Sequence, residues 1–102
     1  MKPIKATSEY DRWEGGLRDR RAVARIRIRL DRLAMGNPGD HRNLKAGVTE
    51  LRIDYGPGYR VYFTERRGEL IILLCGGTKK EQDKDIARAE KMAKEIEDGD
   101  RT

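Results

Sequence analysis

The sequence VTELRIDY-GPG-YRVYFTE, residues 48–65, decides the fold of this 102-residue chain. Apolar and polar side chains alternate on both sides of Gly56–Gly58, a pattern typical of two half-buried strands joined by a tight turn. We therefore expect a hairpin with strands at Val48–Tyr55 and Tyr59–Glu65. After a second turn at Arg67-Gly68, the segment Leu70–Cys75 is apolar throughout, which predicts a central strand buried on both faces.

The segment before this hairpin begins with a short strand and a helix. Lys2–Thr7 is predicted to be an edge strand, with Ile4 and Ala6 on one face. Ser8 is predicted to cap the first helix, whose apolar side chains Tyr10, Trp13 and Leu17 recur at helical spacing.

Residues 20–35 carry two patterns at once. Arg25–Leu30 alternates as a strand does, whereas Val23, Ile26, Leu30 and Leu33 recur at the spacing of one helix face. We interpret the segment as a helix capped by Asp19, because the pattern is too long for an ordinary strand. Gly36–Gly39 is a strong stop signal, and residues 40–47 are expected to form a loop.

The last helix is predicted to start at Thr78, which forms a capping-box pattern with Glu81. The predicted order β-α-α-β-β-β-α gives an α+β fold, with an antiparallel meander sheet and helices packed on one of its faces. We expect a single domain over residues 1–97 and a frayed tail at 98–102.

Composition limits the classes of function. One cysteine cannot form an internal disulfide, and the longest apolar run, Leu70–Cys75, is too short to span a bilayer. The chain shows no apolar secretory segment at its start and no metal-ligand spacing. We therefore expect a cytoplasmic protein with no membrane partner, no metal site and no cofactor.

Positive charge is concentrated in the first half of the chain. Residues 1–47 carry a net charge of +6 and residues 48–102 a net charge of −1. Most of the excess lies on the second helix and the residues before it. This basic surface indicates a polyanion or an acidic protein partner, although a solvated helix face is the alternative. The arginines assigned to such contacts are Arg18, Arg21, Arg25, Arg29 and Arg32.

The side chains of Arg52, Arg60 and Tyr62 are predicted to share the face of the hairpin that no helix covers. A three-residue turn places Asp54 opposite Arg60 and Arg52 opposite Tyr62. Two guanidiniums beside a phenol could bind a phosphate and stack on a base. The alternative is a cross-strand Asp54–Arg60 ion pair on a solvated face.

The junction Gly76-Gly77-Thr78-Lys79-Lys80 adds positive charge next to the strand that carries Arg60. Glycines allow close approach of a ligand, and the start of a helix offers free N–H groups. A strand-to-helix turn with exposed lysines is the alternative. His41 is expected to be a solvated loop histidine more readily than an acid or base, and Cys75 a small core residue.

Two segments of the chain resemble a known family. Gly47–Phe63 and Leu73–Ile86, together with Trp13, Leu17–Asp19 and Gly36–Asp40, are similar to the phage-derived, HigB-like "addiction module killer" proteins of the RelE/ParE toxin superfamily. The likeness covers about residues 5–94. Two positions depart from RelE itself: Glu50 stands where RelE has a basic residue, and Asp85 where RelE has a tyrosine.

The resemblance implies the toxin of a type II toxin–antitoxin pair that cuts mRNA on the translating ribosome. It implies three partners: the ribosome, mRNA and an antitoxin with a helix-turn-helix domain. The protein would contact DNA only indirectly, through this antitoxin. The rival expectations are a ParE-like, non-catalytic inhibitor of DNA gyrase and a member that only binds its antitoxin. The expected catalytic residues are Arg60, Arg52 and Lys79; RNA contacts are assigned to Tyr62, Lys80, Gln82 and Lys45, and acid or base roles to Glu50, Asp85 and His41.

Overall fold

A computed structural model describes residues 1–100 and contains one five-stranded sheet with three α-helices. The strand order is β1-β5-β4-β3-β2, in which β1 pairs parallel with β5 and every other pairing is antiparallel. The α+β class and the meander of the three long strands are confirmed, and β1 lies at the edge as expected. The elements are β1 (Ile4–Ala6), α1 (Ser8–Gly15), α2 (Arg20–Ala34), β2 (His41–Asn43), β3 (Val48–Ile53), β4 (Tyr59–Arg66), β5 (Leu70–Thr78) and α3 (Gln82–Asp100), with 3-10 turns at Lys45–Gly47 and Lys79–Glu81.

Helices α1 and α2 cover one face of the sheet. Ile26, Leu30 and Leu33 of α2 pack with strand residues such as Leu51 and Val61 in one buried cluster. The helical interpretation of residues 20–34 is confirmed, and the Asp19 carboxylate caps α2 by accepting from the backbone N–H groups of Arg21 and Ala22. At α1 the prediction was wrong by one residue, because the hydroxyl of Thr7, not Ser8, accepts from the N–H of Tyr10.

Helix α3 covers the opposite face, in contrast to the expectation that all helices share one. Ala89 and Ala93 pack there with Val48, Tyr62 and Leu74 in a second buried cluster. The apolar stripe of α3 predicts that the helix packs on the sheet, but both faces of β5 are apolar and either could receive it. Helix α3 runs to Asp100, so it includes residues 98–100 of the stretch expected to fray; residues 101 and 102 lie outside the described part of the chain.

The β3–β4 hairpin has a longer loop than expected, and its register differs by two residues. Arg52 lies opposite Arg60, and Glu50 lies opposite Tyr62. Asp54 follows the last paired residue, so the predicted cross-strand position of Asp54 opposite Arg60 is wrong. Because the shift is even, Arg52, Arg60 and Tyr62 still point to one face of the sheet.

Three other boundaries differ from the prediction. Helix α3 begins at Gln82, after the 3-10 turn at Lys79–Glu81, and the Thr78 side chain makes no capping hydrogen bond, so the predicted capping box is absent. Residues 41–43 form the edge strand β2 rather than a loop, and β5 continues through Gly76-Gly77 to Thr78. At each of these two glycines, a side chain from a helix occupies the space that a Cβ atom would take. Trp13 of α1 packs on Gly76 from one face, and the carboxylate of Asp85 lies over Gly77 from the other. Within residues 1–100, no helix is both long and apolar enough to cross a bilayer.

Candidate functional site

Three cationic side chains lie at the β3–β4 turn end of the sheet, where the strands bring them together. Arg52 is the cross-strand partner of Arg60, and Arg60 is in turn the partner of Gly77. The backbone N–H of Lys79 donates to the carbonyl of Gly58 at 2.8 Å, which fixes the end of β5 to the turn. A Cβ on Gly58 would lie 3.5 Å from Nη1 of Arg60 and 3.3 Å from Cβ of Lys79, so both side chains contact this glycine. We call Arg52, Arg60 and Lys79 the cationic site.

Arg60 has an unusual environment for a guanidinium. Only 9% of the residue is exposed, and its Nε is buried without a hydrogen-bond partner. Nη1 donates to its neighbour's carbonyl, that of Tyr59, at 3.1 Å. Among the side chains of residues 1–99, no carboxylate lies within ion-pair distance of Arg60. A buried charge normally has a counter-ion, so this position favours an anion supplied from outside the chain.

Glu50 is a fully buried carboxylate that organises the side chains behind the cationic site. It accepts from Nε of Arg52 at 3.0 Å, from the Tyr62 hydroxyl at 3.1 Å and from Nε2 of Gln82 at 2.9 Å. Burial alone would raise the pKa of Glu50, but these hydrogen bonds outweigh burial and hold the pKa below its ordinary value. Glu50 is thus ionised at neutral pH and enclosed, which does not suit the acid or base role considered for it.

Arg42 also contacts Glu50, and the sequence analysis did not predict this contact. It lies opposite Glu50 in β2, with Nε 3.7 Å from Oε1 of Glu50. The signal was weak, because β2 is only three residues long and all three are exposed. Arg42 brings a further positive charge to the edge of the site.

Tyr62 does not lie on an open face as predicted. The residue is fully buried beneath α3, where burial and the neighbouring Glu50 carboxylate raise its pKa well above the ordinary value. A buried ring cannot stack on a base, so the predicted stacking role is wrong for this arrangement. Of the other proposed RNA contacts, Lys80 is exposed beside Lys79, and Gln82 is half-buried with its amide on Glu50.

Lys45 lies away from the cationic site. It is exposed in the 3-10 turn before β3, and its backbone N–H donates to Glu90 in the third turn of α3. The cationic site lies at the opposite end of β3. The fold therefore does not bring Lys45 near Arg52 and Arg60.

Asp85 is buried close to the cationic site but is already paired. Its Oδ1 accepts from Arg88, and its Oδ2 lies over Gly77, the cross-strand partner of Arg60, without a hydrogen-bond partner. Arg88 also lies 3.6 Å from Oε2 of Glu9, which links the start of α1 to α3. With 2% of the residue exposed, Asp85 is enclosed and cannot contact a substrate directly.

His41 and Cys75 also lie outside the cationic site. The cross-strand partner of His41 is Leu51, whose side chain belongs to the α1–α2 face, so His41 points away from Arg60. Burial raises the pKa of the Cys75 thiol to about 12, which leaves it protonated and unreactive at neutral pH. Among the described side chains, those of residues 1–99, no three from His, Cys, Asp or Glu are grouped closely enough to hold a metal ion.

The arginines of α2 divide into structural and exposed members. Arg29 donates to the backbone carbonyls of Arg52, Pro38 and Asp40, which ties the loop after α2 to the end of β3. Arg25 lies 4.6 Å from the centroid of the Tyr55 ring. Of the arginines predicted to contact a partner, four are exposed: Arg18, which precedes α2, and Arg21, Arg25 and Arg32 on the helix.

Most of the chain is similar in sequence to a known protein family. Residues 18–96 match the family described as "Phage derived protein Gp49-like (DUF891)", and this segment includes α2, β3, β4, β5 and most of α3. A protein from Haemophilus influenzae that is itself described only as uncharacterized is 50% identical over 93 residues, which cover 91% of this chain and 94% of the relative. The chain therefore belongs to the Gp49-like family of phage-derived proteins, a family of the RelE/HigB toxin type.

Proposed function

We propose that this protein is the toxin of a type II toxin–antitoxin pair and that it arrests translation by cutting mRNA on the ribosome. The observation that carries the proposal is Arg60, a buried guanidinium that lacks a carboxylate partner in residues 1–99 and lies between Arg52 and Lys79. An RNA phosphodiester supplies the missing negative charge. Membership of a RelE/HigB-type family supports the toxin role.

The proposed chemistry uses the RNA's own 2′-hydroxyl as nucleophile. The 2′-oxygen attacks the adjacent phosphorus, the bond from phosphorus to the 5′-oxygen breaks, and a 2′,3′-cyclic phosphate and a 5′-hydroxyl remain. Negative charge builds on the phosphoryl oxygens during this displacement. Arg60 and Arg52 stabilise that charge from fixed positions in the sheet, since they need no reorganisation during the reaction.

Proton transfer divides between this chain and the ribosome. Lys79 is assigned to protonate the leaving 5′-oxygen, because its exposed ammonium belongs to the same site. Glu50 and Asp85 are enclosed and His41 faces the other side of the sheet, so removal of the 2′-hydroxyl proton is assigned to a group outside this chain. Alignment of the mRNA in the ribosomal decoding region lowers the barrier further.

Four exposed arginines on α2 and just before it are proposed to bind either a neutralising antitoxin or ribosomal RNA. Arg18, Arg21, Arg25 and Arg32 form a positive surface on the α1–α2 side of the sheet, apart from the cationic site. Contacts of this kind weaken steeply as salt is added. The expected antitoxin is a helix-turn-helix protein encoded beside the toxin.

One observation favours a non-catalytic alternative. The cationic site holds no exposed carboxylate or imidazole from the proposed acid–base set, so it could bind an anion without moving a proton. That arrangement suits a gyrase inhibitor or a member that only binds its antitoxin. Neither alternative predicts cut transcripts.

The test is inducible expression in a bacterium, with growth followed by optical density and transcript 5′ ends mapped by sequencing. The proposal predicts early arrest of protein synthesis and new 5′ ends inside translated regions. Arg60→Met and Lys79→Met should abolish both effects, whereas Arg12→Met and Lys84→Met, exposed on α1 and α3, should retain them. DNA damage with intact transcripts would instead identify the gyrase inhibitor, and normal growth with folded protein would identify the binding-only member.

A further inference from the structure

Exposed side chains on the outer face of α2 recur at alternating spacings of four and three residues. The set contains three arginines and two apolar residues, and we call it the α2 stripe: Arg21, Arg25, Ile28, Arg32 and Met35. Ile28 is 51% exposed, and Met35, which ends the helix, is 73% exposed. Alternation of four and three is the spacing by which one helix packs lengthwise on another. The α2 stripe therefore has the spacing of a helix–helix interface, and its exposure leaves room for a second helix.

The exposed apolar side chains of this chain are concentrated on the α2 stripe. Among residues 1–99, the large apolar side chains that are exposed are those of Met1, Ile28 and Met35. Ile28 and Met35 lie one heptad apart, so they point to the same side of the helix. Beside Ile28, a groove of about 270 Å³ lies between α2 and the end of β3, and its apolar lining is Ile28 and Ile53. This groove can receive an apolar side chain from a partner.

The charge around these apolar side chains identifies the chemistry of the partner. Residues 20–35 contain six arginines and one aspartate, which gives the segment a net charge of +5. No carboxylate from the side chains of residues 1–99 lies within ion-pair distance of Arg21, Arg25 or Arg32. The groove itself is lined by three guanidiniums and one carboxylate, that of Asp54. A partner with carboxylates along its contact face therefore complements the α2 stripe.

Two other kinds of occupant match the α2 stripe less well. A second copy of this chain would bring arginines against arginines, and like charges repel across an interface. An RNA backbone would pair with the arginines, but its phosphates and sugars offer no apolar surface to Ile28 and Met35. A protein segment that combines carboxylates with apolar side chains matches both the charge and the apolar residues, since interfaces combine an apolar centre with a polar rim.

We infer that the α2 stripe binds an acidic amphipathic helix of a partner protein, with the apolar side chains of that helix on Ile28 and Met35 and its carboxylates on the arginines. Recognition of this kind uses anchors that recur at helical spacing. The inference rests on the proposed function in one respect, since it chooses the protein partner over ribosomal RNA for these arginines. The proposed contacts include none of the three side chains of the cationic site, so binding can be measured apart from RNA cleavage.

The experiment measures the fluorescence anisotropy of a dye-labelled synthetic peptide while the purified full-length chain is added. The probe is an acidic peptide of three heptads, with leucine at the two positions of each heptad that face the partner, glutamate beside them and alanine elsewhere. One control peptide replaces every leucine with alanine, and another replaces every glutamate with lysine. The acidic leucine peptide is expected to bind saturably at micromolar concentration and more weakly as salt is added. Each control peptide is expected to bind at least about tenfold more weakly, because it lacks one of the two kinds of contact.

Substitutions on the α2 stripe test which side chains hold the peptide. Ile28→Ala should weaken binding of the acidic peptide about tenfold, because it removes an apolar contact at the centre of the stripe. Arg32→Gln should weaken it about threefold, since an ion pair at an exposed rim contributes less. Lys94→Gln removes the same charge from the exposed side of α3 and should leave binding unchanged. Circular dichroism verifies that each variant is folded, and Met35→Ala decides the question if Ile28→Ala is not.

Several results would overturn the inference. A duplex RNA that displaces the acidic peptide, and whose binding is weakened by Arg32→Gln but unchanged by Ile28→Ala, would identify a nucleic-acid surface. Dimerisation of the free chain that is lost in Ile28→Ala, measured by analytical ultracentrifugation, would identify a second copy as the occupant. Equal binding of the acidic peptide and its alanine control, or no saturable binding to the folded wild type, would equally refute it. Transcript cleavage is assayed separately, so failure of the proposed function would leave these binding results intact.

Discussion

Replacing Arg60 with methionine should abolish toxicity and yet stabilise the protein. The guanidinium is buried, its Nε is unpaired, and no carboxylate of residues 1–99 balances its charge. Burying an ion costs several kcal/mol even after relaxation. The single hydrogen bond from Nη1 to the Tyr59 carbonyl, at 3.1 Å, offsets about 1.5–3 kcal/mol of that cost.

The balance predicts a gain of about 1 kcal/mol in the free energy of unfolding, since methionine keeps most of the packing of the arginine stem. For a chain of this size the gain corresponds to a rise of about 5 °C in Tm. Urea titration followed by circular dichroism measures the free energy, and calorimetry measures Tm. A matched variant, Arg52→Met, should change stability in the opposite direction, because Arg52 donates to the buried Glu50 at 3.0 Å.

Arg52 is about one third exposed, so solvent screening limits the expected loss in Arg52→Met to about 1 kcal/mol. Both variants should lose growth inhibition, although only one is less stable than the wild type. The reasoning would be refuted if Arg60→Met were destabilised as much as Arg52→Met. That result would mean that the charge of Arg60 is balanced inside the free protein and needs no external anion.

Three further predictions concern the surroundings of the site. Gly77→Ala should cost about 1–3 kcal/mol because its methyl group would overlap a carboxylate of α3, whereas Gly15 faces open space and Gly15→Ala should not destabilise; equal Tm values in calorimetry would contradict this. The pKa of Glu50 in the folded protein lies below its ordinary value of 4.5. The ionised carboxylate therefore stabilises the folded state above about pH 4.5, and this stabilisation is lost as the pH falls through the lower pKa of the folded state. Glu50→Gln should remove that pH dependence in urea titrations between about pH 6 and about pH 3, and Glu65→Gln should retain it; an unchanged slope in Glu50→Gln would count against the assignment. Arg29→Lys should cost about 1–2 kcal/mol because an ammonium cannot reach all three carbonyls that the guanidinium joins, and an unchanged urea midpoint would contradict this.

Local patterns predicted most elements of the fold. The helical spacing of Ile26, Leu30 and Leu33 outweighed the strand-like alternation of the same segment, because α2 buries a single face. The alternation in β3 and β4 likewise predicted which side chains share a face. These features depend on neighbours in sequence, so one chain suffices to predict them.

Features that depend on distant parts of the chain were not predictable in the same way. The loop from Asp54 to Gly58 is longer than the turn residues suggest, which moved Arg60 opposite Arg52. The choice of sheet face by α3 could not be read from its apolar stripe, and that choice buries Tyr62 and Glu50. Proximity of Lys79 to Arg60 was nevertheless expected, since β5 was predicted next to β4.

The most direct test of the cationic site is the NMR signal of the Nε–H of Arg60 during addition of a short RNA, with a 2′-O-methyl group at every position to prevent cleavage. The account predicts a saturable shift of this signal that weakens as salt is added, and its loss in Lys79→Met. If the RNA binds and shifts signals elsewhere while the Arg60 Nε–H signal stays in place, the phosphate does not reach the buried guanidinium and the account is contradicted.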